Sequence, residues 1–580
     1  MLLFFRTNSQ IGEQIKKLLC ASIISTLAFV GCSDSVTSSE DSFGVSNAKT
    51  EFQTEENFGV NVLTSPIVSD PENDPYTVEN MSKAMRKQLL AKSADPQEVE
   101  QMTLEPNYLY VRFLAEGKEG VAQLKAYDTS LVLFKHPLDY KPIRKPVVYK
   151  DPSLPDNVIP MFATVPVDYD FGPTKYEVIK ELFLVEPLDG EDETDSKSLL
   201  KKAADVSSAS VLSKMEAMGV SLQDVEWESL NMTGNLSNRV KDSGAQIGKN
   251  APMAWSLFSS AKKLGGQLKF KDDYLGDQPL VGVRVTGGYS YYWREAHTDK
   301  DGKFSIPEKW SFDIDYEANF DAEDFLLEDG HSSYGEDLEI EKNNKHSDWN
   351  ETFTGDKAKW CIVWTAAYQY WYGDNFGLKR PRQNTATNMS LDIVVYYKNK
   401  KDYDSDVASG CKGTSIGCNE TGSFLYDDKI SVLAYGYDSK NIYRTTVHEV
   451  AHSSQYQNQK KGSFKNLAVI YKESYARGIE IYFAKKRYGG SESSYSGSFF
   501  RDYTGIVADL MDSTTKTADL KKSVDKVSGF TINQIETAFF NSNSMNAMKA
   551  YLKEKYPSGK DGRKYTSSDM DNLFNYWINL

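Results

Sequence analysis

Residues 448–452 read His448-Glu449-Val450-Ala451-His452. On a helix, positions i and i+4 share a face, so both imidazoles can reach one cation. Glu449 projects beside that cation without ligating it. The chain has only 6 histidines, so two in one five-residue window leave little histidine chemistry for any other place. A cation that works on water needs a third protein ligand and an open position. Downstream, Glu473 and Glu480 are seven positions apart, about two helical turns, so one helical face can present both. One of them is expected as the third ligand. The other is expected to orient a ligating imidazole from behind. Two imidazoles and a carboxylate are a donor set for Zn2+.

These residues need elements to hold them. Ile430 to Gly436 is an apolar strand that feeds a helix, with Asp438 or Ser439 as its N-cap and Ile442, Val447, Val450 and Ala451 as apolar positions. Leu391 to Tyr397 is a second apolar strand. Helices are expected over 357–372, 465–488, 531–555 (broken near Asn543) and 567–580. Thr531, Ser542 or Ser544, and Ser567 or Ser568 are their N-cap residues. Cys361 lies in an apolar helical run and reads as a buried free thiol. His136, His297, His331 and His346 sit at a strand end or in polar stretches and read as surface residues.

The arrangement resembles the gluzincin metallopeptidases, in which His-Glu-x-x-His on one helix is joined by a Glu from a later helix. More narrowly, Ser453-Ser454-Gln455 and the run Glu473-x-x-Ala476-x-x-x-Glu480 resemble secreted bacterial zinc peptidases. Those carry His-Glu-x-x-His-x-x-Gln and a Glu-Gly-x-Ala-x-x-x-Glu helix. The resemblance covers about residues 346–510 and implies Glu473 as the third ligand, with Glu480 behind. Ser474 stands where the pattern has Gly. The metzincin pattern fails, because it requires Gly and His at the positions held by Gln455 and Asn458. The resemblance implies a protein or peptide substrate, a zinc-activated water and Glu449 as the base. It also implies a side chain that stabilises the oxyanion. Tyr475 and Tyr482 are candidates, and Tyr435 and Tyr503 are also near in sequence.

Lys plus Arg is 67 and Asp plus Glu is 82, a net charge of −15, which argues against nucleic acid as a partner. Arg6, Lys16 and Lys17 precede an apolar run from Leu18 to Val30, too short to span a membrane comfortably but right for a signal peptide. The sequence Leu27 to Cys32 resembles a bacterial lipobox, with Phe29 where Leu is usual. It implies lipidation of Cys32 and anchoring at the bacterial cell envelope, in the outer membrane or at the cell surface. Cys411 and Cys418 bracket a short Gly/Ser loop, and an exported protein would pair them.

The fold class expected is multidomain α+β. Residues 1–31 read as signal peptide, 32–105 as flexible tether and N-terminal extension, and 106–190 as a small α/β unit. Within that unit, strands are expected at 108–114 and 130–134, around a helix at 116–126. Residues 191–262 read as a helical linker. Residues 263–345 resemble a carboxypeptidase regulatory-like, immunoglobulin-type β-sandwich and serve as a spacer. Asp301-Gly302 there signals a hairpin. Asp299 and Asp301 read as a solvated turn rather than a calcium site. Residues 346–580 read as a zincin-like α+β domain with a helical C-terminal subdomain. A competing function is a surface lipoprotein that binds glycan or protein on an inactive zincin scaffold. The intact Glu449 favours the enzyme. A third reading makes residues 106–190 an inhibitory propeptide.

Overall fold

A computed structural model of the chain describes residues 61–63, 73–139, 147–149, 151, 153–155, 157–185, 209–236, 262–310, 313–331, 337–381, 390–407, 417–419, 429–490, 502–512 and 526–579. The expected signal segment with Cys32, and Cys411, lie outside these residues. In chain order the first elements are β1 (Asn61–Leu63), α1 (Val78–Ala91), α2 (Pro96–Glu100), β2 (Tyr108–Glu116), α3 (Gly117–Tyr127), β3 (Val147–Tyr149), β4 (Val158–Pro166), β5 (Tyr176–Leu182), α4 (Ala209–Ala217) and α5 (Leu222–Met232).

Part of the segment read as flexible tether and N-terminal extension is folded. Met81, Met85 and Leu89 recur at helical spacing on α1. They pack with Val211, Leu212, Met215 and Val225 from the stretch read as a linker, in one small core. β2 pairs antiparallel with β4 and β5. Its period-2 alternation splits its side chains, with Tyr110 facing one core and Val111 and Phe113 another. The strand expected at 130–134 is not formed; Phe134 makes a single bridge to Phe162.

Nine strands follow: β6 (Gly265–Asp272), β7 (Gly276–Pro279), β8 (Arg284–Tyr289), β9 (Tyr292–His297), β10 (Lys303–Ser305), β11 (Ile314–Asn319), β12 (Phe325–Asp329), β13 (Glu339–Lys345) and β14 (Trp349–Phe353). All but β12 give one sheet in the order β10-β6-β14, with β7 on β6, and another in the order β13-β11-β8-β9. The rings of Phe304, Tyr316 and Trp349 meet between them. The turn at Asp301-Gly302 is present, with Gly302 at φ +74. The Asp299 carboxylate accepts the N–H groups of Asp301 and Lys303. The flanking strands do not form a hairpin, however. β9 pairs with β8 and β10 with β6, so the turn carries the chain from one sheet to the other.

The remaining elements are α6 (Gly355–Trp371), β15 (Leu391–Tyr396), α7 (Lys400–Asp406), β16 (Gly417–Asn419), β17 (Lys429–Leu433), α8 (Ser439–Asn458), α9 (Val469–Tyr488), α10 (Ile506–Met511), α11 (Ile532–Phe540), α12 (Met545–Lys555) and α13 (Ser567–Ile578). Thr531 and Ser544 cap the two helices on either side of the break near Asn543. Thr566, one residue before the expected cap, caps α13. A further sheet runs β12-β15-β17-β16, the first three strands parallel and β16 antiparallel. Two strands cross the boundary expected at 345/346. β12 joins β15, and β14 joins β6.

The architecture is therefore mixed α+β with several sheets, and residues 54–580 form one compact unit. Lysines of the 106–139 segment reach carboxylates of the later chain: Lys118 to Asp392, Lys125 to Asp321 at 3.2 Å and Lys135 to Asp337 at 2.7 Å. Cys361 is buried and free, and burial pushes its thiol pKa up. Cys418 is disulfide-bonded. Among the described residues, no helix is long and apolar enough to cross a membrane.

Candidate metal centre

β17 delivers the chain to α8, which begins at Asp438. The Asp438 side chain accepts the Asn441 N–H at 2.8 Å and satisfies a free donor of the first turn. The β6–β7 turn reinforces this end. Asp273 accepts from both the N–H and the hydroxyl of Ser439, and Tyr274 donates its hydroxyl to Asp438 at 2.9 Å. The same turn holds the far end of α9, where the Tyr488 hydroxyl donates to Asp272 at 3.0 Å. One turn of the β-rich region thus ties together the two helices that carry the site.

His448 and His452 leave α8 one turn apart, and Glu473 meets them from α9. The Nε2 atoms of the two imidazoles are 3.2 Å apart. Glu473 Oε2 lies 3.1 Å from Nε2 of His448 and 3.4 Å from Nε2 of His452. These three residues could hold a metal ion. Glu480 takes the other side of His448, with Oε2 at 3.0 Å from Nδ1. Arg444 and Arg477 close on Glu480 at 2.7 Å and 2.8 Å. The two glutamates seven positions apart therefore lie on opposite sides of the His448 ring, Glu473 at Nε2 and Glu480 at Nδ1.

Charge follows this geometry. Burial opposes protonation of His448, yet Glu473 and Glu480 outweigh it and push its pKa up to about 10. Burial raises Glu473, but both imidazoles hold it far below the usual carboxylate range. Burial raises Glu480 as well, and Arg477 and Arg444 bring it down to about 2. Glu449 is shifted up, first by burial and then by Glu473 and Glu480, against the pull of both histidines. A raised carboxylate pKa makes Glu449 a stronger base. Its carboxylate lies against strand β16, where a Cβ on Gly417 would fall 2.4 Å from Glu449 Oε1. Asn419, two residues on, donates to the Glu449 carbonyl at 2.9 Å and to the Ser453 hydroxyl at 2.8 Å.

The structure engages Tyr475 and Tyr482 elsewhere. The Tyr475 hydroxyl donates to Glu536 at 3.0 Å amid Phe539 and Phe540, and the Tyr482 ring meets Phe376. Tyr435 is 47% exposed. Tyr503 is the tyrosine at the site. Its ring lies 6.0 Å from that of His448, and Arg477 stacks on it at 4.5 Å. Burial, then the charge of Glu473, push its hydroxyl pKa up, so it stays a proton donor. The departure at Ser474 has a physical role here. The Thr504 hydroxyl donates to the Ser474 hydroxyl at 2.7 Å, which pins the segment carrying Tyr503 to α9.

Spacing alone did not single out Arg444, Arg477, Gly417 or Asn419. Arg444 lies four positions before His448 and Arg477 three before Glu480, which is the only sequence signal for either. His331 also differs from its expected surface place. It is buried, and its Nε2 accepts the backbone N–H groups of Tyr397 and Lys398 at 2.9 Å and 2.8 Å. Backbone N–H groups only donate, so the proton sits on Nδ1 and faces Asp402 at 2.5 Å.

No family model matches the chain, and neither does any curated protein. Among solved structures, a 9R-lipoxygenase from Cyanothece PCC8801 aligns at 15% identity over 22% of this chain and 24% of that one, with a TM-score of 0.11. So small an overlap carries no argument about fold or activity.

Proposed function

We propose that this chain is a zinc-dependent peptidase, an endopeptidase acting on proteins or peptides outside the cytoplasm. One observation carries the reading. The three donor atoms of His448, His452 and Glu473 are mutually 3.1, 3.2 and 3.4 Å apart, with the buried Glu449 carboxylate beside them. Four tetrahedral ligands at zinc distances of about 2.0–2.1 Å stand about 3.3 Å from one another. The donor set therefore fits zinc in type and in spacing.

When bound, zinc supplies a Lewis acid that polarises a carbonyl and lowers the pKa of water. The rest of the chemistry belongs to this chain. Glu449 takes the proton of the attacking water and passes it to the departing amine. The Tyr503 hydroxyl donates to the developing oxyanion. Glu480, held by Arg444 and Arg477, fixes the ring of His448 with its Nε2 toward the cation.

The broader reading places a zincin-like fold around α8 and α9 and an immunoglobulin-like module at the two earlier sheets. The lipobox-like sequence at Cys32 supports lipid anchoring to a bacterial envelope. The test is zinc content together with casein hydrolysis for wild type and Glu449→Ala. Near-stoichiometric zinc in both, with hydrolysis only in wild type, is the expected result. Full zinc occupancy without Glu449-dependent cleavage would overturn the peptidase and leave the surface-binding lipoprotein in its place.

A further inference from the structure

Ligating histidines nearly always donate their second ring N–H to a fixed acceptor, which sets the tautomer and the ring plane. His448 has Glu480 for this purpose. For His452, none of the described residues makes a hydrogen bond to its buried Nδ1. Three positions on, Gln455 is 0% exposed, and neither its Oε1 nor its Nε2 has a partner among the described residues. Unpaired amide atoms in a core are costly, and native structures keep few of them. Positions i and i+3 on a helix are neighbours, so these orphaned groups share one face of α8.

We propose that Gln455 is a positioning residue for the metal site: its amide oxygen accepts the Nδ1–H of His452, directly or through one water, when a metal holds Nε2. The chemistry selects this pairing. A histidine that ligates through Nε2 while neutral must carry its proton on Nδ1 and needs an acceptor there. Gln455 Oε1 is a buried acceptor three positions on that has no partner among the described residues. Phe464, whose ring lies 6.2 Å from that of His452, meets the imidazole edge-on. In the metal-free protein the pairing is dispensable, because the ring is not yet committed to Nε2.

The inference rests on the zinc reading above, and the test separates the two. Zinc affinity is measured by chelator competition, and thermal midpoints are taken with and without zinc. The variants are Gln455→Leu, Gln455→Met and Gln455→Glu. Losing such an outer partner typically lowers metal affinity about 10- to 100-fold, and that loss is expected for the Leu and Met variants. Their metal-free midpoints should stay level or rise, since an apolar side chain replaces unpaired polar atoms. Gln455→Glu keeps an acceptor and should keep wild-type affinity. A residue that only packs could not weaken the metal while sparing the apo protein. Wild-type zinc affinity in both apolar variants overturns the role of Gln455 and leaves the site intact. A wild-type protein that takes up no zinc overturns the site and this role together.

Discussion

His448 and His452 sit one turn apart on the same helix and face the same three-atom cluster, yet they are supported in different ways. His448 is backed by a second helix, through Glu480 and the two arginines that clamp it. Among the described residues His452 has no such partner, and the unpaired amide of Gln455 lies three positions on along the same helix. The His-Glu-x-x-His spacing thus specifies where the rings are but not what holds them. For the first ring the holding group is tertiary, and for the second it is local.

The largest effect should come from the tertiary side. Glu480→Ala removes the carboxylate that Arg444 and Arg477 share and frees the His448 ring. Removing one member of a buried charge cluster costs about 3–5 kcal/mol, so a fall in thermal stability is expected beside a zinc affinity lowered about 100-fold. If Glu480→Ala weakens zinc no more than Gln455→Leu does, the two rings are not held differently.

Protonation gives the next effect. The pKa of His448 is raised to about 10. Its ion pairs therefore stabilise the metal-free fold fully below the unfolded value near 6.5, and that contribution is lost as pH rises through about 10. Zinc must displace the same proton, so affinity should rise about tenfold per pH unit across this window. In Glu480→Gln the slope should flatten, because one of the carboxylates that hold the proton is gone. An unchanged slope in chelator-competition titrations at successive pH values would remove Glu480 from this role.

Smaller effects should fall on turnover alone. Tyr503→Phe should lower kcat about 10-fold or more with zinc affinity unchanged, while Tyr475→Phe should act on stability through Glu536 and spare kcat. Gly417→Ala pushes a methyl into the Glu449 carboxylate. It should lower kcat several-fold, a modest share of the about 10²–10⁴ that general-base catalysis contributes. Steady-state kinetics on a fluorogenic peptide separate the three. Equal losses for Tyr503→Phe and Tyr475→Phe would remove the distinction drawn between them.

What the sequence made legible was local. The spacing of the two histidines, the Asp438 cap and the helix break near Asn543 all follow from side chains within one turn. The Asp301-Gly302 turn was legible as a turn, but its flanking strands go to different sheets, since turn chemistry says nothing of the next strand's partner. The same limit hid the crossing of β12 and β14 at residue 345, because hydrophobic alternation assigns a face and not a neighbour. Tyr503 was one of several tyrosines until the Thr504–Ser474 hydrogen bond placed its segment over α9. His331 reads as polar-loop surface in sequence because its partners, the backbone of Tyr397 and Lys398, are distant in the chain.

The proposed chemistry depends on His448, His452 and Glu473 together holding zinc. Zinc K-edge X-ray absorption on the purified protein tests it directly. Two imidazole ligands and oxygen donors at about 2.0–2.1 Å, in a four-coordinate shell, are expected. Glu473→Ala should disturb that shell, and Glu480→Ala should leave its composition unchanged. A shell containing sulfur, or one that Glu473→Ala leaves as it was, would contradict this ligand set.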